Sequence, residues 1–195
     1  MFSKKIKNID AMLVATFLTT CFYSATYPSI HKEIMESVSD TIVAASQIVN
    51  CLSIAFFGFV WNKLSNKLFR FYPVFCIAET VLGVLSTLWA ITSHNIMSYY
   101  IIDTLIFSTV TRNIICGGVK LRAMRYPSEE KRERFDNNTE SAFAIATIIG
   151  SLVAILLDLN FDAMLCIATF GSAIDNTFYL FIYFSESKKR LGRIA

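Results

Sequence analysis

Six long apolar segments, each bracketed by charge, divide this chain: 9–28, 41–60, 72–92, 97–119, 140–157 and 163–184. A helix rises about 1.5 Å per residue, so each is close to what a hydrocarbon core of roughly 30 Å requires. Lipid offers a backbone no hydrogen-bond partner. A spanning segment must therefore be helix or closed barrel, and continuous apolar runs without strict alternation favour helix. The expectation is an all-α, polytopic membrane protein, folded as one six-span domain over residues 1–195, with the lipid bilayer as its surroundings. Apolar residues make up 54% of the chain and the charges collect in the connections, so no segment is left over for a soluble domain.

The basic residues set an orientation. Lys4, Lys5 and Lys7 precede the first segment, and Lys63, Lys67 and Arg70 lie between the second and third. Lys120, Arg122, Arg125, Lys131, Arg132 and Arg134 lie between the fourth and fifth, and Lys188, Lys189, Arg190 and Arg193 follow the sixth. Of the 18 Lys and Arg, this leaves Lys32 on the opposite side and Arg112 inside a span. Cytoplasmic loops carry such an excess, so both termini are expected in the cytoplasm and the protein in the plasma (cytoplasmic) membrane. The net charge of +3 belongs to these loops, where anionic headgroups meet it, and no nucleic-acid partner is expected.

The early lysines and apolar run admit a signal-peptide reading, and Leu18-Thr19-Thr20-Cys21 faintly resembles a lipoprotein cleavage box. The run exceeds a signal core of about 7–15 residues, and cleavage would spoil the charge pattern. The cysteines Cys21, Cys51, Cys76, Cys116 and Cys166 fall singly in five spans without metal-ligand spacing, and are read as small apolar packing residues. The sequon Asn137-Asn138-Thr139 falls in a cytoplasmic connection, where no glycosylation is expected. His31 and His94 stand far apart, and no catalytic or nucleotide-binding motif occurs. An enzyme, a cofactor and a metal site are therefore not expected.

The second-to-third connection reads Gly58-Phe-Val-Trp-Asn62-Lys63-Leu-Ser65-Asn66-Lys67. It resembles the cytoplasmic motif of the major facilitator superfamily, G-x-x-x-D-[RK]-x-G-[RK]-[RK], matching at Gly58, Lys63 and Lys67 and departing at Asn62, Ser65 and Asn66. Pro28 closes the first span as a proline often does there, and Arg112 followed by Gly117 and Gly118 is similar to the family's R-x-x-x-G element displaced by one residue. The resemblance covers nearly the whole chain but one half of a family member. It implies a six-helix bundle of two inverted three-helix repeats, with Gly58 in close helix contact. It also implies an inward latch, which neutral Asn62 weakens. A complete transporter then needs a second six-helix bundle: a homodimer is the simplest, a separate six-helix membrane subunit the next.

Intramembrane polar residues are the functional candidates, because a charge at a span's centre costs roughly 2.5–3.5 kcal/mol even on insertion scales. Asp103, Asp175, Asn176, Gln47, Asn50, Tyr23 and Tyr27 are candidates for solute binding or proton coupling. Arg112 and Glu79 each lie seven residues from the inner end of their spans, a depth of about 10 Å, and are expected to pair. Glu140, at the inner start of the fifth span, competes for Arg112. Polar stripes Thr104, Ser108, Arg112 and Thr16, Thr20, Tyr23, Tyr27 repeat at helical spacing and should avoid lipid. The reading is a half-size transporter of a small, unidentified solute, with proton coupling an option. A non-transporting immunity, chaperone or regulatory subunit of the same architecture is the alternative.

Overall fold

The computed structural model describes residues 10–157 and 159–191; Lys4, Lys5, Lys7, Ile9 and Arg193 lie outside the described residues. The described chain is all-α. Helix α1 is Ala11–Ser37, α2 Asp40–Leu68, α3 Tyr72–Ser93, α4 Ile96–Ile106, α5 Arg112–Arg125, α6 Glu129–Leu156 and α7 Phe161–Leu191. A 3-10 turn, Phe69–Phe71, joins α2 to α3, and a π-helical turn, Phe107–Thr111, joins α4 to α5, so the residues form five continuous helical runs.

Side chains close several of the ends. Asp10 accepts from the Met12 N–H at 2.9 Å, Asn95 from Ser98 at 2.9 Å and Asn160 from Ala163 at 2.9 Å, each satisfying a donor the helix leaves free. His94 ends α3 in the left-handed region at φ 50°. Pro28 does not end the first helix, contrary to expectation: α1 runs through it to Ser37. Helix α6 begins at Glu129, well ahead of the expected 140, since Glu, Lys and Arg are good helix formers outside lipid as well.

Three helical runs, rather than the six expected, are long and apolar enough to cross a membrane by length and composition: Asp40–Ser93, Glu129–Leu156 and Phe161–Lys188. Helix α1 and the 96–125 run fall short because Thr16, Thr19, Thr20, Tyr23 and Tyr27, and Asp103, Thr104, Arg112 and Asn113, dilute their apolar content. The 54-residue first run is not one straight rod. Asn66 of α2 meets Lys120 and Ser46 meets Tyr100, so α2 runs alongside 96–125 in the same sense. Glu79 of α3 meets Thr111, and Ala90 shares a cluster with Tyr99, so α3 runs in the opposite sense. The reversal falls between the non-helical Leu64 (φ −117°, ψ 16°) and Phe71 (φ −91°, ψ 2°), with Pro73 in the first turn of α3.

Helix α1 is central, packed mainly on α6 and α7; α3 packs on α7 and α4, and α2 on α5. One buried apolar cluster gathers Met12, Trp61, Tyr72, Leu121, Phe135 and Ile182; a second, at the other end, gathers Ile30, Ile34, Ala90, Tyr99 and Leu165. Between them the interior is polar, while Leu52 and Phe56 of α2, Ile77 and Leu88 of α3, and Ile155 and Leu156 of α6 are exposed, the last two at 78% and 79%. Apolar outside with polar inside is the polarity a bilayer selects, and water would penalise such patches. The fold is thus that of an all-α membrane protein.

At the end that holds Met12, Arg125 ties three helices together. Its Nε lies 3.2 Å from Asp10 Oδ1 and its Nη1 3.1 Å from Glu186 Oε1, while neighbouring Arg122 pairs with Asp136. Burial, and then the Asp10 carboxylate, push the Tyr126 phenol up from its ordinary value. The Arg125 side chain is 21% exposed, which discounts the strength of its pairs. Arg125→Ala is expected to cost about 1–2 kcal/mol, read as a lowered thermal midpoint in detergent, with Arg125→Lys recovering only part because it lacks the fork. An unchanged midpoint would mean that the three helices do not depend on this clasp.

Candidate functional site

A cavity of about 590 Å³ lies inside the bundle, walled by α1, α3, the 96–125 run, α6 and α7. Three carboxylates border it: Glu79, Asp103 and Asp175. Glu79 is held on both oxygens. Its Oε1 accepts from Thr111 Oγ1 at 2.5 Å and its Oε2 from Asn176 Nδ2 at 2.7 Å, and Asn176, only 2% exposed, also donates to Thr80 Oγ1 at 3.0 Å.

Local geometry distributes these roles. Successive helix residues point about 100° apart, so of Asp175 and Asn176, adjacent on α7 and both bordering the cavity, Asn176 reaches α3. The π turn does the same between α4 and α5 by inserting extra backbone at 107–111. Thr111 turns to α3, Arg112 donates to Asn50 Oδ1 of α2 at 2.9 Å, and Asn113 accepts from Trp61 Nε1 at 2.8 Å.

The expected Arg112–Glu79 pair is not formed: among the described residues Arg112 has no ion pair, and Thr111 occupies the position beside Glu79. Equal depth gave the two residues one height, but they leave their helix bundle positions at different azimuths. Glu140, the competing partner, is exposed on α6. It follows that Arg112→Ala strands no carboxylate. Its cost should be additive with that of Glu79→Ala within about 0.3–0.5 kcal/mol, whereas Arg112→Ala and Asn50→Ala should couple. Denaturation of the four variants in detergent checks this, and a coupling above about 1 kcal/mol between Arg112 and Glu79 would contradict it.

The remaining candidates divide. Tyr23 borders the cavity and stacks on Tyr27 with ring centroids 4.5 Å apart, and Tyr27 in turn stacks on His31. Gln47 and Asn50 border a smaller hollow of about 120 Å³ that they share with Asp103 and Ser108. Asp103 faces both spaces and is exposed, seven residues or about 10 Å into the 96–125 run. Of the motif residues, Asn62, Lys63 and Lys67 are exposed, and Gly58 has nothing within 4 Å of where a Cβ would stand, so the expected close approach is absent there. Close approaches are at Gly150, against the backbone of Cys21 and Ala25, at Gly171, against Phe22, and at Gly117, under the Tyr72 ring.

Residue-type reasoning missed the role of Thr111, Thr80 and Asn113, because hydroxyls and amides are also ordinary packing residues in membrane helices. It missed Thr87 and Thr169, bonded at 2.5 Å between α3 and α7, for the same reason. Cys76 is buried as expected, but Cys51 and Cys166 are exposed. Comparison with family models, with curated proteins and with solved structures finds no match.

Proposed function

We propose that this chain is a half-size membrane transporter of major-facilitator type, crossing the bilayer six times and moving a small solute once paired with a second six-helix bundle. The observation that carries the reading is Asp103: a carboxylate about 10 Å into a helix that borders the internal cavity and two smaller hollows beside it. Lipid cannot cover a carboxylate there without heavy cost, whereas a second bundle enclosing a water-filled path can. The opposite senses of α2 and α3 support six crossings, since the first helical run then crosses twice, and the basic loops support cytoplasmic termini. With both termini on one side, two copies lie parallel, and a homodimer is the simplest complete unit.

In this reading the cavity is the solute path, and Asp103 and Asp175 are the groups able to carry a proton through it. Glu79 and Tyr99 are the neighbours of Asp103; Glu79, Tyr72, Cys76 and Tyr179 are those of Asp175. The open Gly58 and neutral Asn62 favour the second reading, a non-transporting subunit that kept the bundle without the latch.

Oligomeric mass in mild detergent, followed by solute flux in proteoliposomes under an imposed pH gradient, tests the choice. A dimer with flux that falls at least tenfold in Asp103→Asn or Asp175→Asn is expected. A verified dimer with no flux, or flux unchanged when both aspartates are replaced, would move the assignment to the non-transporting subunit.

A further inference from the structure

We propose that the cavity between α1 and the 96–125 run is a binding site for an organic cation, an amine or quaternary onium compound carrying apolar rings. The inference rests on the cavity being the solute path, and it adds the chemical class of what enters.

Glu79, Asp103 and Asp175 border one space, and among the described residues none of them has an ion-pair partner. The basic residue on the cavity wall, Arg122, is paired with Asp136. Arg112 donates to Asn50 and lies over the Phe107 ring, 5.3 Å from its centroid, without pairing with any of the three carboxylates. A space lined in this way repels an anion, and a neutral solute would displace water from carboxylates without replacing its stabilisation. A cation supplies the counter-charge the protein does not.

Size and lining separate a large cation from a small one. Among the described residues no three His, Cys, Asp or Glu side chains stand close enough to hold a metal ion, so these carboxylates do not converge as a multidentate metal site. They can flank a charge spread over a larger body. The cavity's volume of about 590 Å³ suits a drug-sized ligand, and the aromatic rings of Phe22, Tyr23 and Tyr179 border it.

Ser108, only 2% exposed, has a hydroxyl with no hydrogen-bond partner, and it faces the hollow it shares with Asp103. The Thr19 hydroxyl, on the opposite wall, faces the Asp175 carboxylate. Buried polar groups are ordinarily satisfied, and an unsatisfied hydroxyl in the hollow that Asp103 shares with the cavity points to an occupant that supplies its partner.

Tetraphenylphosphonium and tetraphenylborate, matched in shape and opposite in charge, form the test, with binding to the full chain in detergent measured calorimetrically. Saturable binding of the phosphonium, none of the borate, and an affinity roughly tenfold or more weaker in Asp103→Asn and in Asp175→Asn are expected. Equal binding of both ions, or an unchanged phosphonium affinity when both aspartates are asparagine, would overturn the proposal. The wild-type comparison of the two ions decides even if a variant misfolds. Phosphonium binding without flux from a verified dimer would defeat the transport reading and leave the cation site standing. Flux of neutral or anionic solutes without phosphonium binding would do the reverse.

Discussion

Gly150→Val is expected to lower stability by about 3 kcal/mol or more, a fall of roughly 6–12 °C in the thermal midpoint for a chain of this size. A Cβ at position 150 would stand 2.5 Å from the Cys21 carbonyl oxygen and 3.1 Å from the Ala25 nitrogen, both backbone atoms of the central helix. A side-chain neighbour could rotate aside; backbone cannot, so α1 and α6 must separate. Small residues at helix contacts are how membrane helices gain dispersion energy without a hydrophobic drive, and this contact is part of the extensive α1–α6 packing. Gly58→Val is the control. Nothing lies within 4 Å of its Cβ, so the isolated fold should melt as the wild type does. Wild-type melting of Gly150→Val, measured in the same detergent, would refute the close approach.

The contrast between these two glycines shows what residue order discloses and what it hides. Run lengths follow from apolarity: α3 over Tyr72–Ser93 and the 96–125 run lie within a few residues of the expected 72–92 and the start of 97–119. Ends in water are less readable, because Lys63 and Lys67 continue α2 and the charged 129–139 stretch forms the start of α6, both by helix propensity rather than burial. The motif glycine, Gly58, is expected at a close contact and stands open, while Gly150 and Gly171, which no motif marks, make close contacts. Partnership is least readable of all. Periodicity gives the height and face of a residue on an ideal helix, but the π turn at 107–111 shifts that face midway, so the residue beside Glu79 is Thr111 and not Arg112. The acidic cavity was partly in view, since Asp103 and Asp175 were chosen for their depth; that Glu79 joins them there depends on how α3 docks against α7.

Glu79→Ala is expected to cost about 2–3 kcal/mol, while Glu79→Gln should fold with nearly wild-type stability and fail in function. The alanine variant leaves the Asn176 amide, 2% exposed, with Thr80 as its remaining partner, and removes the acceptor of Thr111. An orphaned buried donor costs its full desolvation, about 1–3 kcal/mol, and relief of carboxylate burial offsets part of the sum. Glutamine differs. Its oxygen can accept from Asn176, and its amide can donate to the Thr111 hydroxyl, which exchanges its role from donor to acceptor. Geometry is therefore kept and one negative charge leaves the cavity. A double-mutant cycle of Glu79→Ala with Asn176→Ala should return a coupling of about 1 kcal/mol or more, since the amide stranded by the first change is removed by the second. Additivity in that cycle would mean that the 2.7 Å bond does not hold α3 to α7. Stability of Glu79→Gln as poor as that of Glu79→Ala would show that the charge itself, and not the hydrogen-bonded shape, keeps these helices together.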